Sequence, residues 1–381
     1  MSKLSNVSCY VTEKISVDSI DISEYITTDN LLQNKKGRVI AEKLPTQKVT
    51  RFKKNDILIA NIRPYLKKIW QADIDGGASS DVLVVRPNDV IDNNFLYYAL
   101  TQDSFFEYVM KGSKGTKMPR GDKSQIMDFV IPDLEIDEQI KIGKLLKSID
   151  QRIQINNQIN QELEAMAKTL YDYWFVQFDF PDQNGKPYKS SGGKMVYNPE
   201  LKREIPEGWG VESVGNLLDK VTKAEKIENN SIEFIGEIPV IDQSQKYIVG
   251  FTNNEKALLQ PQDGHVIFGD HTRVVKYINF DYARGADGTQ VLISNNENIS
   301  NVLLYHMIED FDLTNYGYAR HFKFLKEKTV IVPDKEVSSK FETQANVIYE
   351  KLKNNIFENQ ELTQLRDWLL PMLMNGQVKV E

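Results

Sequence analysis

The sequence repeats itself after 199 residues, and this repeat limits the possible folds more than any other feature. The tetrapeptide at residues 160–163 recurs at residues 359–362, and the flanking residues match at the same shift. Each copy of an internal repeat forms one structural unit, so the chain is expected to fold as two similar halves.

Both copies carry the pattern of a long helix. In each copy, one series of residues, here called the stripe, recurs at alternating steps of four and three for about four heptads. This is the a/d spacing of a coiled coil. The two series are Ile142, Leu146, Ile149, Ile153, Asn156, Asn160, Leu163, Ala167, Leu170 and Trp174, and Phe341, Ala345, Ile348, Leu352, Asn355, Asn359, Leu362, Arg366, Leu369 and Leu373. No Pro or Gly interrupts residues 144–174 or 335–370. The spacing predicts two helices, the first of about 38 residues and ~57 Å, from Glu138 to Phe175.

Two asparagines lie in each stripe at matching repeat positions. A buried Asn lowers the stability of a coiled coil but fixes its register and its partner. We therefore predict that the two helices pair with each other, antiparallel, and that four asparagines set the register: Asn156, Asn160, Asn355 and Asn359. The alternative is a pair of surface helices with polar residues in their stripes. Arg366 departs from the pattern, and we interpret it as a place where the seam opens.

Strand patterns upstream of both helices also match. Residues 57–61 match 266–270, and residues 130–133 match 331–334, where an X-Pro step leads from a β-branched run into the helix. The predicted fold class is α+β, with two similar mixed α/β domains joined by two long antiparallel coiled-coil helices in pseudo-two-fold symmetry. The predicted parts are head 1 (1–132), spacer helix 1 (133–178), a connector (179–208), head 2 (209–333) and spacer helix 2 (334–381). The connector is rich in Gly, Pro and Ser, and we expect turns and a short hairpin near Met195.

The net charge of −7 at first argues against a nucleic-acid ligand. However, residues 1–128 contain 19 basic and 16 acidic side chains, whereas residues 209–329 contain 12 and 17. Two heads on a stiff spacer suit a two-part DNA target, with head centres ~34–36 Å apart if both enter the major groove from one side. A scaffold that spaces two protein-binding heads is the alternative.

Basic loops in both heads supply candidate DNA contacts. Lys and Arg neutralise phosphates, and Arg can also pair with guanine in the major groove. The candidates are Arg63, Lys67, Lys114, Lys117 and Arg120 in head 1, and His271, Arg273, Arg284, Arg320 and Lys323 in head 2.

No catalytic motif stands out. The sequence lacks the phosphate loop, the Gly-x-Gly cofactor loop, the tetrapeptide of amino-methyltransferases and the hydrolase elbow. Pro181-Asp182 followed by Glu200-Leu201-Lys202 could form a nuclease site, so a stand-alone nuclease is an alternative. The single cysteine, Cys9, excludes a disulfide framework and a zinc finger, and we predict neither a catalytic residue nor a metal ligand. Without a signal peptide or an apolar span, we expect a cytoplasmic protein with no membrane contact.

Several segments together resemble the specificity subunit of type I restriction-modification enzymes. They are residues 170–175, 185–193 and 205–209, Ile131-Pro132 leading to Glu138-Gln139, and residues 369–373. The resemblance spans nearly the whole chain. It implies two target recognition domains that read an asymmetric bipartite double-stranded DNA site, and two helices that set the spacer.

The resemblance also implies partners. Two methyltransferase subunits would dock on the helices and restriction subunits would join them, with S-adenosylmethionine and ATP/Mg²⁺ bound by those partners and no cofactor on this chain. Two features of the sequence depart from the pattern of this family. The second repeat lacks the connector, which fits ring closure near the N-terminus, and head 2 is acidic for a DNA reader.

Overall fold

The computed structural model describes residues 1–219, 221, 224–314, 317 and 320–380. The chain divides into two compact units. Unit 1 comprises Met1–Ile155 together with Glu358–Glu381, and unit 2 comprises Asn156–Phe357. Each unit therefore contains one head and a portion of both spacer helices, and unit 1 contains both ends of the chain.

Head 1 consists of short strands and short helices. Its strands are β1 (Ser2–Lys3), β2 (Ser8–Tyr10), β3 (Lys14–Ile15), β4 (Tyr25–Ile26), β5 (Val49–Phe52), β6 (Ile57–Ala60), β7 (Ile69–Gln71), β8 (Gly76–Ala78), β9 (Val82–Pro87) and β10 (Val130–Ile131). Its helices are α1 (Leu4–Val7), α2 (Asn93–Thr101), α3 (Asp103–Lys111) and α4 (Lys123–Met127). The sheets have the orders β2-β9-β6-β7 and β3-β5-β8-β4, and β1 pairs with β10.

Strand β6 is the centre of head 1. It pairs antiparallel with both β7 and β9, and all four of its residues are buried. Ile57 and Ile59 belong to the core that contains helix α2, whereas Leu58 and Ala60 belong to the core around Phe52 and Trp70. Alternate residues of a strand point to opposite faces, so this continuous apolar run is covered on both sides.

The chain then enters the first spacer helix, α5 (Ile136–Tyr171), and unit 2. The strands of unit 2 are β11 (Met195–Asn198), β12 (Arg203–Pro206), β13 (Gly210–Ser213), β14 (Ile238–Ile241), β15 (Gly250–Thr252), β16 (Leu258–Leu259), β17 (His265–Gly269), β18 (Val275–Ile278), β19 (Tyr282–Arg284), β20 (Thr289–Leu292) and β21 (Thr329–Val332). The remaining helices are α6 (Asn301–Ile308), α7 (His321–Lys326) and the second spacer helix, α8 (Lys335–Met374).

The described strands of head 2 follow the same plan as those of head 1. The buried strand β17 pairs antiparallel with β18 and β20, as β6 does with β7 and β9. Strands β14 and β19 run parallel, as β4 and β8 do. Both heads therefore place a buried central strand beside a sheet that contains one parallel pair.

The spacer helices run antiparallel within each unit. In unit 1, Asp150 and Arg152 of α5 pair with Arg366 and Glu358 of α8 at 2.7 and 2.9 Å. In unit 2, the Asn355 side chain donates to Asn160 Oδ1 at 2.8 Å. The predicted stripe residues are all buried or half-buried. The two long helices and their mutual packing are thus confirmed, with α5 beginning at Ile136 and ending in a π-helical turn, Asp172–Val176.

The interpretation of Arg366 is wrong. Arg366 does not mark an opening of the seam, because its guanidinium pairs with Asp150, which also accepts a 2.6 Å hydrogen bond from the Tyr98 hydroxyl. Burial alone would lower the pKa of Arg366, but the Asp150 carboxylate raises it. A charge is tolerated in the stripe because it is paired and hydrogen-bonded.

The connector contains the expected hairpin. Strands β11 and β12 pair antiparallel from Met195 with Pro206 to Asn198 with Arg203. Trp209 closes the segment, stacking on Phe180 at a ring separation of 5.0 Å, and both rings belong to the core of unit 2.

Candidate nucleic-acid interface

Two basic loops of head 1 join at the end of the central strand. We call residues 61–68 and 111–121 loop cluster 1. The Arg63 amide donates to the Pro119 carbonyl at 2.8 Å, and the Gly121 amide donates to the Asn61 carbonyl at 3.2 Å. Lys114 and Arg120 exchange two backbone hydrogen bonds of 2.9 Å. The structure thus brings Arg63, Lys114 and Arg120 together, as the sequence analysis grouped them by chemistry.

The side chains of loop cluster 1 remain accessible. Lys114 is 84% exposed although it pairs with Asp122 at 3.1 Å, and Arg120 is 57% exposed although it pairs with Asp81 at 2.9 Å. The Lys114 ammonium lowers the pKa of Asp122 to about 2. Such surface pairs contribute little to stability, so a phosphate can compete for these cations.

The other two head 1 candidates lie on the same loops. Lys67 pairs with Asp103 at 2.9 Å, and Lys35 pairs with the same carboxylate at 3.0 Å. Two cations therefore share one anion, which leaves a positive charge there. Lys117 is exposed, and among the described residues no acidic group lies within ion-pair distance of it.

Head 2 has a corresponding arrangement around Asp270, which follows β17 as Asn61 follows β6. Asp270 donates its amide to the Gly288 carbonyl at 2.7 Å and accepts from the His321 amide at 3.0 Å. Its carboxylate accepts from the Phe322 amide at 2.8 Å. We call residues 242–246, 269–273, 287–288 and 320–322 loop cluster 2.

Gln243 ties three segments of loop cluster 2 together, and the sequence analysis missed it. Its side chain accepts from the His271 amide at 3.1 Å and donates to the Asp287 carbonyl at 2.9 Å. Its own carbonyl accepts from the Thr272 hydroxyl at 2.5 Å. A Gln in a polar turn has no sequence pattern that would distinguish this role.

The five candidates of head 2 are placed unevenly. His271, Arg273 and Arg320 are exposed on loop cluster 2, and Lys323 is exposed on α7, which follows directly. Arg284 instead ends β19, and its Nε is buried without a hydrogen-bond partner among the described residues. Arg320 and Lys323 belong to a segment, residues 315–323, in which aromatic and basic residues alternate, and positions 315, 316, 318 and 319 of this segment lie outside the described residues.

One arginine in each cluster adopts a left-handed backbone conformation. Arg63 has φ 53° and Arg273 has φ 64°. Non-glycine residues rarely adopt this conformation, and such residues concentrate at functional sites. Neither side chain has an ion-pair partner among the described residues. In the part of the chain that the structure describes, both heads therefore present a left-handed arginine without a close ion pair beside the end of the central strand.

The connector carboxylates have structural partners. Asp182 accepts hydrogen bonds from the amides of Asn184 and Lys186 within its own turn. Glu200 accepts from the Thr329 hydroxyl at 3.0 Å. Within the described part of the chain, no group of three or more His, Cys, Asp or Glu residues is arranged to hold a metal ion.

Among the helices that the structure describes, none combines the length and the apolar character needed to cross a membrane.

Comparison with known proteins gives consistent results. Residues 11–165 match the family model of the type I restriction modification DNA specificity domain. The MjaIX type I restriction enzyme specificity subunit of Methanocaldococcus jannaschii is 26% identical over 329 residues, covering 78% of this chain and 72% of that protein. The HindI specificity subunit of Haemophilus influenzae is 24% identical over an alignment that covers 98% of both chains.

The fold also has a solved counterpart. The crystal structure of the S subunit of a type I restriction-modification system from M. genitalium matches with a TM-score of 0.62 at 17% identity. The match covers 98% of this chain and 95% of that chain.

Proposed function

We propose that the chain is a specificity subunit of a type I restriction-modification system and that each of its loop clusters reads one half of a bipartite double-stranded DNA target. The family match over residues 11–165 and the two specificity-subunit relatives support this proposal. The chain is the DNA-recognition subunit of a restriction-modification complex. We assign the two loop clusters as the DNA-reading surfaces because the same arrangement of residues occurs in both heads. In each, a basic loop leaves the central strand with an exposed, unpaired arginine in the left-handed region.

The two clusters have the chemistry to position DNA and to read it. Exposed Lys and Arg contact phosphates without regard to sequence, whereas an arginine held in a fixed backbone conformation can present its guanidinium to a base edge. We assign the positioning role to Lys67, Lys114, Lys117 and Lys323, and the reading role to Arg63 and Arg273. Arg120, His271 and Arg320 supply further contacts. Arg284 is assigned no contact, because it lies outside loop cluster 2 and its Nε is buried.

The chain itself is proposed to be non-catalytic. Two methyltransferase subunits and restriction subunits would carry the chemistry in the cytoplasm, with S-adenosylmethionine and ATP/Mg²⁺ bound on those partners. Large apolar side chains on the spacer helices support docking there, since Met166 and Trp368 are 58% and 60% exposed. The four seam asparagines are proposed to hold the register of the two helices, and Asn160 and Asn355 are already hydrogen-bonded to each other.

Methylome sequencing of cells that express the chain with its methyltransferase partner tests this function. We expect one motif with two specified half-sites and a fixed spacer. Insertion of one heptad in both spacer helices should change the spacer and leave both half-sites unchanged, because seven residues add ~10 Å to each helix. Methylation without any sequence preference would contradict the proposal.

A connector variant is the matched control for that experiment. Glu200→Ala combined with Lys202→Ala removes the carboxylate and the lysine of the nuclease-like string without touching either loop cluster. We expect the same methylation motif and the same restriction of unmodified DNA. Loss of a cleavage activity intrinsic to the purified chain would instead favour a nuclease.

A further inference from the structure

A buried lysine lies directly beneath loop cluster 2. The side chain of Lys276, in strand β18, is 4% exposed. Its ammonium donates to the Asp242 carbonyl at 2.8 Å and to the Lys246 carbonyl at 2.5 Å, and it lies 3.9 Å from Asp242 Oδ1. Burial lowers the pKa of this lysine to about 8. An apolar residue at this strand position would avoid the free-energy cost of burying a cation, so a packing role does not account for the lysine.

Head 1 contains a similar contact. Lys68, next to strand β7, donates to the Thr28 carbonyl at 2.5 Å. Thr28 lies just after β4, and Asp242 lies just after β14, the two strands that pair parallel with β8 and β19. In both heads, therefore, a lysine holds the loop that follows the parallel strand, and this lysine lies within β18 in head 2 and directly before β7 in head 1.

The loops held by these lysines support the proposed reading arginines. In head 2, the loop at Asp242–Lys246 includes Gln243, which holds the backbone of His271 and the hydroxyl of Thr272 beside Arg273. In head 1, the segment after Thr28 donates the amides of Asn34 and Lys35 to the carbonyls of Leu66 and Lys67 at 2.9 Å each. A displacement of either held loop would therefore move the backbone that carries loop cluster residues.

We propose that Lys276 and Lys68 are positioning residues that fix the base-reading loops of head 2 and head 1, respectively, through backbone carbonyls. The inference rests on the proposed function of the two clusters. Removal of either ammonium leaves carbonyls without their donor and frees a loop, so base discrimination falls in one half-site only. Lys276 is too deeply buried to contact a phosphate, so the salt dependence of DNA binding stays the same.

The experiment uses the complete complex with its methyltransferase partner and compares Lys276→Met, Lys68→Met and the control Lys256→Met. Lys256 is exposed in head 2 and is not one of the residues of loop cluster 2. Methylation rates are measured on duplexes that carry every single-base substitution in one half-site at a time. We expect K276M to lower discrimination about tenfold at one or more positions of the half-site read by head 2 and to leave the other half-site unchanged. K68M should lower discrimination in the half-site read by head 1 and leave the half-site read by head 2 unchanged. K256M should match the wild type at both half-sites.

Three outcomes would overturn the proposal. One is unchanged preference at both half-sites in variant complexes that unfold at the wild-type temperature. Another is an equal loss at both half-sites, which indicates a merely structural role. The third is a decrease of about one in the slope of log affinity against log salt, which indicates a phosphate contact. If the complex that carries K276M fails to assemble, the K68M complex tests the proposal, because Lys68 is only half-buried and its replacement disturbs the core less. A failure of the proposed function would be seen separately, as a wild-type complex without two half-sites.

Discussion

In loop clusters 1 and 2, two loops are joined at the residue that follows the central strand, but the side chain of that residue differs between the heads. The residue after the central strand is Asn61 in head 1 and Asp270 in head 2, and in both heads its carbonyl accepts an amide of the second loop. In head 2 the Asp270 carboxylate also accepts the Phe322 amide, whereas Asn61 Oδ1 is buried without a partner among the described residues. Main-chain hydrogen bonds therefore hold the loops together in both heads, and head 2 adds a hydrogen bond to a buried carboxylate.

Two further acidic groups of head 2 accept hydrogen bonds within their own loops: Asp242 accepts from Ser244, and Asp312 accepts from Thr314. Hydrogen bonds from the Thr314 side chain and amide lower the pKa of Asp312. These carboxylates are therefore engaged in hydrogen bonds within head 2, whereas the side chains of His271, Arg273 and Arg320 remain exposed.

The largest effect is expected from the two proposed reading arginines, Arg63 and Arg273. Arg63→Ala should weaken discrimination in the half-site read by head 1, and Arg273→Ala should do so in the other half-site. Each bidentate contact with a base supplies about 1–3 kcal/mol of discrimination, so the methylation rate at the cognate site should fall about 5- to 150-fold. Each variant carries its own control, because its second half-site should keep the wild-type preference. Loss of preference at both half-sites in either variant would show that the clusters are not independent readers.

A smaller effect is expected at Asn61 and Asp270, the residues that follow the central strands of the two heads. Asp270→Ala removes a buried acceptor and leaves the Phe322 amide without its partner, which should destabilise unit 2 by about 2 kcal/mol. Asn61→Ala should cost less than about 1 kcal/mol, since Oδ1 of Asn61 makes no hydrogen bond among the described residues. Thermal unfolding of the purified chain measures both. Asp270→Asn keeps an oxygen at this place and is the control that should recover most of the loss. Equal destabilisation by the two alanine variants would mean that the side chains of Asp270 and Asn61 contribute equally to the free energy of unfolding, which contradicts the prediction.

The smallest effect concerns pH. All four histidines lie in head 2, and burial lowers the pKa of His265 to about 4. The unfolded chain then binds more protons than the folded chain between about pH 4 and 6.5, so stability from this group is complete above 6.5 and is lost as the pH falls toward 4. His265→Gln should remove about 1 kcal/mol of this acid-induced loss in unit 2, as measured by unfolding at a series of pH values. Unit 1, which has no histidine, should show no change, and an identical pH profile for the variant and the wild type would contradict the prediction.

The spacer helices and their packing were predictable because their information is local and periodic. A heptad pattern identifies the buried face without any knowledge of the tertiary structure, and the hydrogen bond of Asn160 with Asn355 follows from it. The proximity of Arg63 to Lys114 and Arg120 was suggested only by shared chemistry, since their backbone bridges join residues far apart in sequence.

The supporting residues of the clusters were not predictable. Lys276 lies in an ordinary β-branched run, and Gln243 lies in a polar turn. Their roles depend on carbonyl groups from other loops, and no spacing rule encodes which carbonyl group faces which side chain. The ion pair of Arg366 with Asp150 was missed for the same reason.

The division of the chain into units has a consequence for its synthesis. Unit 2 is one continuous stretch, Asn156–Phe357, so all of its residues are made before the last segment of unit 1. Unit 1 is discontinuous, and its core includes Leu370, Leu373 and Met374 beside Ile142 and Leu146. The head that is made first is therefore finished last, and a premature stop codon in the final turns of α8 should damage the N-terminal head while leaving the later head intact.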